Sequence, residues 1–168
     1  YSGDFNRDWG LPMSYATITK SNSLYQPREN IKTLIQNNLT YTDIQIYSYF
    51  PNQKANNFKG YPFIVIPELD NNLDEVKLGY GVKTYLNEVD GTIYHEVKSL
   101  GDNKLRTTKQ NIFEAVNKKS NEQLLCSYNM QELSVEFDSS SSEPSLVDQN
   151  EIIELPFSIT FNVEVNFG

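Results

Sequence analysis

Hydrophobic and polar positions alternate without a slip in FSITFNVEVNFG, the last stretch of the chain. Phe157, Ile159, Phe161, Val163, Val165 and Phe167 share one parity, and Ser158, Thr160, Asn162, Glu164 and Asn166 the other. Period two is the signature of a strand with one buried and one wet face. QELSVEF alternates through Leu133, Val135 and Phe137 and is the natural partner of that closing strand. Helical spacing occurs twice. Ile31, Leu34, Ile35 and Leu39 follow Pro27, a residue suited to a helix start, and Leu105, Ile112, Phe113 and Val116 mark a second helix from about Asn103 to Lys118. Ser120 and Gln123 have capping-box spacing, so NEQLLCSY predicts a further helical turn or short helix.

Between the helices lie the remaining strands. TDIQIYSYF alternates with Ile44 and Ile46 on one face. In YPFIVIP an unbroken apolar run between Pro62 and Pro67 fits a strand buried on both faces. PNQKANNFKG is turn chemistry, and PELDNNLDE is expected to be an acidic loop. Asp90-Gly91, between VKTYLNEV and TIYHEV, has the composition of a tight hairpin turn. The pattern predicts an α+β fold, with a largely antiparallel or mixed sheet and two helices packed on one face, in the order α-β-β-ββ-α-β-β. Residues 1–25 lack periodicity and are expected to form an N-terminal arm, rich in aromatics such as Phe5, Trp9 and Tyr15. Residues 26–168 then form a single domain, interrupted by a serine-rich acidic loop at 138–150 that is long for a compact fold.

Charge changes the picture more than composition does. The net charge is -8, which argues against sequence-independent binding of nucleic-acid phosphates. Every one of the 14 Lys and Arg lies at or before Lys119, whereas nine of the 22 Asp and Glu follow it. A one-signed terminal segment is either a solvated face or a field that repels one partner and attracts another. No apolar run approaches the ~20 residues that span a bilayer, and no signal-peptide pattern is expected at the start.

Candidate chemistry is sparse. The single cysteine, Cys126, excludes an internal disulfide and is expected to act as a small core hydrophobe beside Leu124 and Leu125. His95 is the only histidine, and no nucleophile motif accompanies it. Zinc ligands are too few. Asp70, Asn72 and Asp74 copy the first ligand positions of a calcium loop, but Glu75 stands where glycine is needed and Gly81 where a bidentate Glu belongs. Weak calcium binding there stays open. Gly79-Tyr80-Gly81 has neither P-loop nor dinucleotide spacing, and Asn38-Leu39-Thr40 is a sequon with no sign of a secretory route. The expectation is a protein that is not an enzyme and needs no cofactor or metal.

The order of RENIKTLIQNNL, TDIQIYSYF with YPFIVIP, KLRTTKQNIFEAVNKK and the two closing strands resembles the tail terminator (tail completion, head-tail joining) proteins of long-tailed phages and related archaeal viruses, over about residues 26–167. The resemblance implies a structural virion protein assembled in the host cytoplasm. It would form a homo-oligomeric, hexameric ring at the tail-neck junction, with the tail tube protein below and the neck or connector protein above. Double-stranded DNA would pass through its acidic channel without specific binding, and no membrane is involved. On that reading Glu132, Glu136 and Glu164, on the polar parity of the closing strands, face the channel. Trp9 and Ser139, Ser140, Ser141 and Ser142 contact a neighbouring subunit. The Asp90-Gly91 hairpin and the serine-rich loop stand out as additions to the family's minimal pattern. Two alternatives remain: another neck or tube ring component (a head-closure or tube protein), and a carbohydrate-binding β-domain using Tyr47, Tyr49, Tyr80 and Tyr85.

Overall fold

The computed structural model describes residues 26–68, 71–78, 81–138, 145–147 and 150–166. Trp9 and the rest of the arm, Asp70, Tyr80 and Ser139 to Ser142 lie outside the described residues. Among the described residues seven strands form one sheet: β1 (Ile46–Tyr47), β2 (Phe63–Val65), β3 (Asn71–Leu78), β4 (Val82–Glu96), β5 (Met130–Phe137), β6 (Ser145–Val147) and β7 (Asn150–Asn166). The helices are α1 (Gln26–Asn38), α2 (Lys104–Asn117) and α3 (Lys119–Cys126), with a 3-10 turn at Val97–Asp102. The fold is α+β with a mixed sheet, since β1 runs parallel to β2 and every other pairing is antiparallel.

Two long strands form the spine. β4 and β7 pair in unbroken register from Val82↔Asn166 to Glu96↔Ile152. The far edge of β4 takes β3 along one half and β2 along the other, and the far edge of β7 takes β6 and then β5. On one face the odd-numbered residues from Asn87 to His95 of β4 and from Phe157 to Val165 of β7 are buried. Val89, Ile93, Ile159, Phe161 and Val163 join Ile31, Leu34 and Ile35 of α1, Ile112, Ala115 and Val116 of α2, and Leu125 of α3 in one core. β2 is buried on both faces. Ile64 and Ile66 enter that core, while Phe63 anchors an aromatic cluster on the opposite side, its ring centroid 5.1–5.6 Å from those of Tyr47, Phe50, Phe58, Tyr61 and Tyr94.

Several expectations are corrected. Asp90-Gly91 is no turn; both residues lie inside β4, opposite Ser158 and Phe157. A Cβ on Gly91 would sit 2.4 Å from Phe157 Cζ, so this glycine leaves room for a ring laid across the neighbouring strand. The hairpin instead joins β3 to β4, and Asn72 and Asp74, expected in an acidic loop, are strand residues opposite Glu88 and Leu86. Part of the expected 138–150 loop is β6, paired with the start of β7. TDIQIYSYF yields only the two-residue β1, although Ile44 and Ile46 both reach the core.

Among the described residues three α-helices, not two, pack on the core face. α3 begins next to α2, with the extended Lys118 as the single residue between them and no side-chain cap, so the Ser120–Gln123 box does not form. Asn121 closes the corner instead, its buried Nδ2 donating to Ala115 O at 3.0 Å. Phe113 is half exposed, because Asn111, whose Oδ1 accepts from Thr40 N at 2.8 Å, and Thr108 occupy the inward face of α2. Cys126 is exposed: α3 buries Asn121 and Leu125, and the next residue points away.

Candidate functional site: an acidic sheet face

The face of the sheet turned away from the helices is set by register. Glu136 stands opposite Ser158, Ser134 opposite Thr160, and Gln131 opposite Asn162 on the β5–β7 ladder. Across the other ladder Ser158 faces Asp90, Thr160 faces Glu88, and Glu164 faces Thr84. Cross-strand partners share a face, so these residues form one wet surface. It carries Glu88, Asp90, Glu132, Glu136, Glu154 and Glu164, and β4, β5 and β7 contribute no Lys or Arg to it.

A bulge decides where Glu132 goes. Pairing shifts between Gln131 and Ser134, and Glu132 adopts φ 56, a left-handed conformation uncommon outside glycine. The extra residue lets both Met130 and Leu133 reach the core from opposite parities. It also turns the Glu132 carboxylate back over the wet face, where Asn162 Nδ2 donates to it. Glu132, Glu136 and Glu164 are all exposed. The structure thus brings the three sequence-predicted glutamates onto one surface.

Glu88 and Asp90 belong to the same surface and escaped sequence reasoning, because Asp90-Gly91 has turn composition. The available signal was parity: Tyr85, Asn87, Val89, Gly91, Ile93 and His95 alternate straight through the supposed turn. Ser158 Oγ lies 2.9 Å from Glu88 Oε2 and also contacts Asp90 Oδ1; with one proton, it donates to one of them at a time. Ser134 Oγ and Thr160 Oγ1 share a hydrogen bond of 2.7 Å. A groove of about 630 Å³ runs past Glu88, Asp90, Thr92, Glu136, Asp138 and Thr160. Further along, burial pushes the Tyr94 hydroxyl above its ordinary pKa, and the Glu154 carboxylate across the ladder adds to the effect.

This surface has the chemistry of repulsion and hydration. Among the described residues no group of three or more His, Cys, Asp or Glu has metal-holding geometry. His95 is buried, on the core parity of β4, with Nε2 3.1 Å from Asp102 Oδ1. The tyrosines considered for sugar binding are not assembled. Tyr49 is exposed, Tyr47 lies against Phe63, and Tyr85 packs on the helix-side core. No protein-family model matches the chain, and no curated protein matches it either.

Proposed function

We propose that the protein is a structural ring component of a tailed virion, a tail terminator that caps the tail tube and joins it to the neck. The observation that carries this reading is the run of carboxylates on the wet face of β4, β7 and β5. Glu132, Glu136 and Glu164, joined by Glu88 and Asp90, lie on one side of β4, β7 and β5, and the three helices cover the other. A wall of carboxylates repels DNA phosphates, so a duplex passes along it without sticking. Helices on the outside and a polar sheet inside would also leave the strand edges free to meet neighbouring subunits. Another neck or tube ring would use the same surface in the same way, and its position in the virion would separate it from a terminator.

Sedimentation velocity over a wide concentration range tests the proposal. A discrete closed species of hexamer mass, with nothing larger, is the expected result. A strict dimer would overturn it, because a two-fold pair leaves the wet face without a closed channel.

A further inference from the structure

On the helix side of the sheet, the 3-10 turn, the start of α2 and β7 enclose a second concavity, of about 340 Å³. Leu100, Leu105 and Leu155 line it together with Asn103, Arg106 and Lys109. Leu105 and Leu155 pack against the core, while Leu100 stays 37% exposed, so an apolar surface is left open to solvent. The two cations are three residues apart on α2, a spacing at which like charges on a helix repel. Nearby, Lys98 Nζ is 3.5 Å from Glu96 Oε2, and Lys104 Nζ sits 5.2 Å from the Tyr41 ring centroid. Lys109 Nζ lies over Phe137, 5.3 Å from the ring centroid, and among the described residues neither it nor Arg106 has a carboxylate partner. Arg106 and Lys109 thus border the same concavity as the three leucines, with no carboxylate bound to either among the described residues.

We infer that this concavity is a binding site for a small amphipathic anion, an organic carboxylate with a short apolar chain. The chain lies on Leu100, Leu105 and Leu155, and the carboxylate takes charge-assisted hydrogen bonds from Arg106 and Lys109. Both requirements act together: an inorganic anion leaves the leucines wet, and a neutral alcohol leaves the cations unpaired. The site lies on the opposite face of the sheet from the carboxylate surface, and its occupancy does not depend on ring formation.

Amide NMR titration with hexanoate, hexanol and acetate tests it. Saturable shifts confined to residues 100–109 and the surroundings of Leu155 are expected with hexanoate. Hexanol and acetate should bind more weakly, and the double variant Arg106→Gln/Lys109→Gln should weaken hexanoate binding roughly tenfold or more. Both positions are on the surface, and the variant's unperturbed amide spectrum serves as the folding control. Three results overturn the inference: no saturable shift at these residues, equal binding of acetate, or a hexanoate curve the double variant leaves unchanged. The last would mean adsorption on exposed apolar side chains such as Tyr49 or Leu146.

Discussion

Single side chains hold the fold where the backbone runs out of partners. Arg28 is 2% exposed, and its guanidinium satisfies the end of β2, with Nε 2.9 Å from Pro67 O and Nη2 donating to Ile66 O. Arg28→Ala leaves those carbonyls short of donors and Glu29 without its partner, and should cost about 2–4 kcal/mol in urea unfolding. Asn87 is the reverse case. It is 1% exposed on the core face, and among the described residues neither amide atom has a hydrogen-bond partner. Asn87→Leu removes an unpaired buried amide at nearly constant volume and should stabilise the protein by about 1–2 kcal/mol. An unchanged or lower midpoint would show that the amide has a partner in solution. At Gly91 an added Cβ meets the Phe157 ring, so Gly91→Ala should lose about 1–3 kcal/mol. Phe157→Leu in the same chain should recover part of that loss, which a double-mutant cycle detects as coupling. None of these three roles is written in local sequence, because each depends on what a distant strand or loop places against the residue.

Elements were legible where one face decides their pattern. α1, α2 and the closing β7 match their periodicity because each buries a single stripe or parity in one core. Legibility failed where tertiary pairing overrode local composition. Asn71 to Leu78 is polar enough to pass for a loop, yet half of β4 would be unpaired on that edge without it. Pro156 sits inside β7, where proline usually argues against a central strand. Its carbonyl accepts from Asp138 N at 2.9 Å, and a strand residue's N–H and C=O point to the same edge. The missing donor therefore faces the side where β5 has just ended, and the ladder with β4 is intact. The junction between β4 and α2 carries a prediction of its own. Lys104 N–H donates to Asp102 at 2.9 Å and holds its carboxyl below the ordinary value of 3.8, with His95 adding to the effect. A carboxylate with a lowered folded pKa contributes stability that is full above 3.8 and fades as pH falls through the folded value. The group is solvent-exposed, so the contribution is small. Asp102→Asn should slightly lower stability at neutral pH and flatten its decline below that value, as read from urea midpoints against pH.

At the scale of the molecule, the two faces differ in charge. The helix layer mixes signs, with Lys104, Arg106 and Lys109 beside Glu114 and Glu122, whereas the wet face of β4, β7 and β5 has carboxylates as its charged residues. The excess of acids after Lys119 was plain in the sequence, but the share of Glu88 and Asp90 was not, since it takes the β4–β7 register to lay them beside Ser158 and Thr160. Like charges gathered on one face destabilise the fold that gathers them, and salt relieves the strain because exposed charges are screened beyond about 8 Å at physiological ionic strength. Stability should therefore rise as salt is added at neutral pH. Replacing Glu132, Glu136 and Glu164 together by Gln should raise low-salt stability by about 0.5–1 kcal/mol and reduce its salt dependence. All three positions are exposed, and Gln at 132 can still accept from Asn162, so core packing is left alone. An unchanged midpoint at low salt, or an unchanged dependence on salt, would show that these carboxylates do not sense one another across the two ladders.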